Sequence, residues 1–169
     1  MRESLGVNKE EILIGSFQKD GQGWSEGNVP KLIKGPDIFV EAVEIIAQKL
    51  PVIVLLTGPA RGYVKRELSK RKIKFIHLFI DSYIEIANFY NALDLYIVSS
   101  REEGGPKAIV ESMASGVPLI STNVGMAKDF IIDNHNGGLV NSFNPEEIAI
   151  KAFEILNLSK KEDLINAAR

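Results

Sequence analysis

Two glutamates eight positions apart, Glu103 and Glu111, lie within the stretch "EEGGPKAIVESMASGVP" that runs from Glu102 to Pro118. An ionised carboxylate only accepts hydrogen bonds, and one carboxylate takes them from two vicinal hydroxyls, as an acidic residue does with ribose. Between the two glutamates, Gly104 and Gly105 let the backbone come close to a ligand, and Pro106 presets the φ of a first helical turn. A helix that starts there presents free N–H groups with a partial positive charge, a ready place for phosphate, with Lys107 beside it. Glu111 lies about a turn and a half inside the helix, yet helical side chains tilt toward the N-terminus, so its carboxylate reaches back to the mouth. Glu103, on the loop before the helix, is placed for a second polyol beyond the phosphates. Ribose, pyrophosphate and hexose in that order describe a nucleotide sugar. The plainer alternative is that Glu102 and Glu103 complement the helix dipole while Glu111 pairs with Lys107 across one turn, contacts of roughly 0.2–0.5 kcal/mol. Spacing by itself leaves both readings open.

The elements that must position these residues are legible as an alternation. "ILIGSF" (12–17), "PVIVLLTG" (51–58), "IKFIHLF" (73–79), "LYIVSS" (95–100) and "VPLIST" (117–122) are short, rich in β-branched residues and almost continuously apolar, the mark of strands covered on both faces. Between them "PDIFVEAVEIIAQKL" opens with Pro36 and puts Phe39, Val43, Ile46 and Leu50 on one stripe. "GYVKRELSKR", "SYIEIANFYNAL" and "PKAIVESMAS" follow, the last ending before Gly116, a suitable left-handed cap. "GMAKDFII" precedes the turn "DNHNGG", and "NPEEIAIKAFEILNL" and "SKKEDLINAA" are predicted as closing helices. The pattern predicts a Rossmann-like three-layer αβα sandwich around a mainly parallel sheet. Ligands of such sheets bind at the carboxyl ends of the strands, which is where the 101–106 loop and the long irregular segment 18–35 fall. Loops of that length are usually functional or mobile.

Composition excludes several classes. The 169 residues fit one domain, and a formal charge of −2 gives no general pull toward nucleic acid or anionic lipid, so any anion site must be local. There is no cysteine, hence no disulfide, thiolate nucleophile or cysteine metal site. No Asp-x-Asp or His cluster points to a metal, so neither metal nor cofactor is expected. The apolar runs are far shorter than the roughly 20 residues that cross a bilayer, and the polar start is unlike a signal peptide. A cytoplasmic location is expected, with peripheral membrane attachment open for a longer parent protein. "GQGWSEG" is not a dinucleotide fingerprint, because its glycines fall at 21, 23 and 27 and Pro30 interrupts any helix; "GPARGY" lacks the Lys-Ser/Thr ending of a P-loop.

The stretch "SSREEGGPKAIVESMASGVPLISTNVG" resembles the signature of the family 4 retaining glycosyltransferases of the GT-B fold, in which two glutamates eight apart precede a small-residue stretch, Gly-Pro and a strand. "YNALDLYIVSS" is similar to that family's Tyr-x-x-x-Asp strand entry, "NHNGGLV" to its late Asn-Gly turn and "LIKGPDIFVEA" to its Lys-Gly segment. The resemblance covers residues 12 to about 156. It implies the donor-binding, C-terminal half of a two-domain transferase, here a single Rossmann-like domain over residues 1–169. The donor is then a nucleoside diphosphate sugar, and the acceptor, a glycan or lipid, belongs to the other half. It implies further that Glu103 contacts the donor sugar, Glu111 the ribose hydroxyls, and Lys34 with the Gly104, Gly105, Pro106 and Lys107 backbone the pyrophosphate. The base is then set against Leu78, Phe79 and Ile80. The family's usual Gly-Arg after the first strand is Gly15-Ser16 here, with Lys19 as the substitute cation. Pro106 has no N–H to give, and Phe79 stands where a glycine is usual.

Other residues read blandly. His77 belongs to an apolar strand and is expected to be packed or hydrogen-bonded, and His135 to be exposed in a turn. Trp24 could stack on a sugar, and Arg61 reads as a solvated charge at a helix start. The sequon at Asn157 carries little weight without a secretion signal. Two other functions share the pattern: a non-catalytic nucleotide-sensing or interaction module, and a nucleotide-sugar epimerase.

Overall fold

A computed structural model describes residues 1–80 and 82–157; the closing helix expected over "SKKEDLINAA" lies outside the described residues. Six parallel strands stand in the order β3-β2-β1-β4-β5-β6. They are β1 (Ile12–Ser16), β2 (Val52–Thr57), β3 (Lys74–Leu78), β4 (Leu95–Val98), β5 (Leu119–Thr122) and β6 (Gly138–Val140). The helices are α1 (Pro36–Ala47), α2 (Gly62–Lys70), α3 (Ile86–Tyr90), α4 (Lys107–Ala114), α5 (Ala127–Phe130) and α6 (Pro145–Leu156). Strand order reverses between β1 and β4, the switch point where open α/β sheets bind ligands.

The strands are apolar on both faces because each side is covered. Ile14, Val54, Leu56, Ile97 and Ile120 pack with α1, α2 and α6. Their neighbours Leu13, Ile53, Leu55, Tyr96, Val98 and Leu119 pack on the other side with Tyr90 of α3, Ile109 of α4 and Ala127 of α5. Pro36 opens α1 as expected, and Gly116 adopts φ 66 after α4. Leu50 falls beyond the end of α1 but still packs against the same cluster.

The sixth strand was not foreseen. Three residues, two of them following glycines, carry no strand signal; the segment is held from outside by its neighbours. A Cβ on Gly138 would stand 3.1 Å from Ile120 Cγ1 and 3.2 Å from Ile155 Cδ1, so glycine lets α6 close over the edge of the sheet. The turn before it is built by Asn136, which accepts from the Ile132 amide at 2.8 Å and donates to the Phe130 carbonyl at 2.9 Å.

The 18–35 segment is folded down, not free. Gly21 and Pro30 form an antiparallel bridge, and the Glu26 and Gly27 carbonyls accept from the Gly62 and Tyr63 amides at 2.6 and 3.0 Å, satisfying the first turn of α2. A Cβ on Gly21 or Gly27 would lie 2.3 Å from the Ala60 carbonyl oxygen. Beneath it sits Arg61, only 1% exposed. Its guanidinium donates to the Ser16 carbonyl at 2.6 Å, the Thr57 carbonyl at 3.1 Å and Ser16 Oγ at 3.1 Å, and lies 3.0 Å from the buried Asp20 carboxylate. Burial pushes the Asp20 carboxyl up and the Arg61 guanidinium down, each opposed by attraction to the other. The sequence expectation of a solvated Arg61 is therefore overturned, because carbonyls at the ends of β1 and β2 converge where the side chain enters.

Between α1 and α2, Glu67 accepts from Lys70 at 2.9 Å, Arg71 at 3.0 Å and Arg66 at 3.1 Å, and Arg71 also donates to Glu44 at 2.7 Å. The bond from Lys70, with those from Arg71 and Arg66, holds the Glu67 carboxyl at about 2, below its ordinary 4.5. As pH falls, the unfolded chain takes up this proton first, so the contribution is full above 4.5 and is lost as pH drops toward 2. Thermal melts between pH 2 and 6 are expected to show a shallower acid limb for Glu67→Gln than for the wild type; superimposable curves would contradict this.

Candidate functional site at the β1/β4 switch point

β4 delivers the first glutamate. After Val98 the chain leaves the sheet through Ser99 and Ser100, and Glu103 turns back so that its carboxylate accepts from Lys34 Nζ and, at 3.1 Å, from Ser100 Oγ. Lys34 arrives on a 3₁₀ turn, Leu32–Lys34, ended by Gly35 at φ 61. Only glycine fits at position 35, because a Cβ there would stand 1.8 Å from the Ser99 carbonyl oxygen. Backbone and side chains stitch the two segments together: Ser99 Oγ donates to the Gly35 carbonyl at 2.8 Å and the Arg101 amide to the Ile33 carbonyl at 2.8 Å. Arg101 also grips Asp37 with two bonds of 2.8 and 2.6 Å. Burial would raise the Asp37 carboxyl, but the Arg101 bonds outweigh it and hold it low. This fork matches a carboxylate at two points, a geometry lysine does not offer.

α4 delivers the second glutamate. Glu111 accepts from Tyr83 through one oxygen and from Tyr90 through the other, the latter at 2.9 Å. It does not pair with Lys107. Tyr90 is buried, edge-on to Phe17 at 4.9 Å and tilted against Tyr96 at 5.2 Å, so its hydroxyl is fixed in place. Its phenol is pushed far up by burial, with the nearby Tyr96 and Glu111 adding to the effect, and it stays a donor.

The helix start differs from expectation by one position. Pro106, at φ −67 and ψ 104, is the residue before α4 and not a member of its first turn, since its ring fixes φ at a value that extended backbone shares with helix. Its carbonyl accepts from the Ile109 amide at 3.0 Å, and no side chain caps the helix, which leaves the Lys107 and Ala108 amides at the mouth. Gly125, at φ 52, lets the loop after β5 come against this segment; a Cβ there would be 2.3 Å from the Glu103 and Gly104 carbonyl oxygens.

Glu103, Gly105, Pro106, Lys107 and Glu111 line a single cavity of about 410 Å³. Lys34 joins it through Glu103, and Gly104 is exposed beside it. The other residues singled out in the sequence stand elsewhere. Gly15 is buried under Leu93 and Tyr96, and both polar groups of Ser16 accept from Arg61. Lys19 lies 3.5 Å over the Trp24 ring, beside a separate cavity with Gly21, Gln22, Gly23 and Lys31. Leu78 packs into the core, Ile80 is half-buried, and Phe79 is exposed beside Trp24 and His77 on a third cavity of about 350 Å³. His77 donates to the Gly58 carbonyl at 2.8 Å, the satisfied histidine expected.

Sequence reasoning passed over Phe17, Gln18 and Tyr83, which also line the glutamate cavity, Tyr90 and Ser100, which hold its two glutamates, and Arg101, which grips Asp37 beside it. A signal was present for the tyrosines: Tyr83 and Tyr90 are seven apart, a spacing that puts both on one side of a helical segment. Among the described residues no group of three or more acidic or histidine side chains could hold a metal, and no helix is long and apolar enough to cross a membrane.

A 155-residue match at 32% identity links the chain to an uncharacterized glycosyltransferase of Methanocaldococcus jannaschii, covering 90% of this chain and 42% of that protein. The Anabaena protein HepE, solved in complex with UDP and glucose, superposes with a TM-score of 0.77 at 25% identity over 99% of this chain and 44% of its own. The C-terminal domain of a glycosyl transferase group 1 protein from Francisella tularensis has the same fold, with a TM-score of 0.77 at 22% identity, covering 98% of this chain and 86% of that one. The chain thus spans less than half the length of the archaeal relative, and most of the Francisella C-terminal domain. With residues 27–169 matching the sequence profile described as glycosyl transferases group 1, the chain belongs to that family.

Proposed function

We propose that residues 1–169 form the donor-binding domain of a retaining family 4 glycosyltransferase of the GT-B type, which takes a nucleoside diphosphate sugar and, with a second domain, passes the sugar to a glycan or lipid acceptor. The observation that carries this reading is the common cavity of Glu103 and Glu111, with the uncapped start of α4 between them. In it Glu111 accepts from the ribose hydroxyls, the Lys107 and Ala108 amides meet the pyrophosphate, and Glu103 accepts from the sugar. Lys34, already paired with Glu103, stands where negative charge grows on the leaving diphosphate, and a preorganised cation lowers the barrier most at that point. Lys19 faces a different cavity, so Lys34 is the principal cation of the reaction. The base rests against the 78–80 segment, no metal takes part, and the whole enzyme works in the cytoplasm or at its membrane surface. HepE's complex with UDP and glucose makes uridine nucleotides the first probes.

Calorimetric titration with UDP, GDP and ADP and with their glucose and mannose derivatives tests the assignment. One sugar nucleotide is expected to bind more tightly than its bare nucleotide, and Glu103→Ala is expected to erase that difference, roughly tenfold, while leaving the bare nucleotide's affinity in place. Failure of every nucleotide to bind, or a sugar preference untouched by Glu103→Ala, overturns it. Equal affinity for bare and sugar-bearing forms in the wild type points instead to a nucleotide-sensing module.

A further inference from the structure

Both oxygens of Glu111 are engaged by phenol hydroxyls, but the two phenols are held very differently. Tyr90 is 1% exposed and wedged between Phe17 and Tyr96. Tyr83 is 66% exposed, sits in a single 3₁₀ turn, Tyr83–Glu85, and lines the cavity mouth. One donor is therefore built in, and the other is a surface side chain that can rotate away. A carboxylate has room for about four hydrogen bonds, so Tyr90 can stay while a diol binds, but a hydroxyl ring standing on the open oxygen occupies the space the diol needs.

We propose that Tyr83 stands in for a ribose hydroxyl on Glu111, so that a ribonucleotide places its diol there only by displacing it. This rests on the assignment of Glu111 to the ribose. Until the nucleotide arrives, the Tyr83 hydroxyl keeps the carboxylate solvated on its open side and the Tyr90 hydroxyl keeps it aimed. A ligand with two vicinal hydroxyls replaces the one bond with two and releases Tyr83 to water. A ligand without them gains nothing by the exchange. The contact thereby lowers the apparent affinity for ribonucleotides, because only the Tyr83-released fraction is competent, and leaves compounds that share only the phosphates unaffected.

The test is titration of the wild type, Tyr83→Phe and Glu111→Ala with UDP, GDP, ADP and the 2′,3′-dideoxy form of whichever binds. Tyr83→Phe keeps the ring and removes only the hydroxyl. It is expected to bind the ribonucleotide roughly 3- to 10-fold more tightly than the wild type and the dideoxynucleotide no more tightly. If Glu111→Ala weakens ribonucleotide binding but Tyr83→Phe leaves it equal or weaker, the role given to Tyr83 is overturned and the site assignment stands. A gain that is the same for the dideoxynucleotide also overturns it, since the ring would then act by shape alone. If Glu111→Ala has no effect, or nothing binds, the ribose assignment itself fails and the role of Tyr83 with it.

Discussion

Arg61→Met is expected to destabilise the protein by about 3–5 kcal/mol, the cost of leaving a buried charge without its partner. Asp20 has both oxygens inside the protein, its nearest cation is Arg61, and the Ser16 and Thr57 carbonyls also lose their donors. Asp20→Asn should cost less, because the Arg61 left behind still donates to the Ser16 and Thr57 carbonyls and to Ser16 Oγ, and combining it with Arg61→Met should recover part of the loss. Denaturant melts of the four proteins measure this as a coupling energy. An Arg61 in solvent, as its place at a helix start implied, would change stability by less than about 0.5 kcal/mol, so the two readings predict separate outcomes.

Glu111→Ala is expected to weaken binding of the recognised nucleotide by about two orders of magnitude, as two hydrogen bonds to a charged acceptor disappear from a half-buried site. Glu111→Gln should fall between, since an amide keeps one acceptor oxygen but presents N–H groups to hydroxyls. The fold should tolerate both, because the side chain faces the cavity, the Tyr83 hydroxyl is open to solvent, and a shorter residue 111 lets cavity water reach the Tyr90 hydroxyl. Titration gives the affinities, and melting without nucleotide separates a lost contact from a lost fold. Wild-type affinity in Glu111→Ala would remove the ribose from α4.

The sheet and the two glutamates were readable because their signals are local. Apolar runs of five or six residues mark strands whatever they pack against, and a Gly-Gly-Pro opening marks a helix start wherever it falls. Three parts were not readable, each for a spatial reason. β6 is a strand only because β5 and α6 hold Gly138–Val140 in place. Arg61 is buried because carbonyls from residues 16 and 57 meet around it, and nothing in "GPARGY" announces that. The clamp of Arg101 on Asp37, and with it the meeting of Lys34 and Glu103, joins residues over sixty positions apart. Helix starts and strand runs are written in neighbouring residues, whereas an ion pair across a switch point is written in the topology.

That topology leaves a seam. β1 and β4 share only the register pairs Ile14 with Leu95 and Gly15 with Tyr96, whereas β1 and β2 are paired along the full length of β1. The cavity sits at the carboxyl end of this join, with Phe17 and Gln18 from one half-sheet and Glu103 from the other. An occupant reaching both banks would act as a staple between two three-stranded slabs, so its arrival would stiffen the junction as well as fill the hollow.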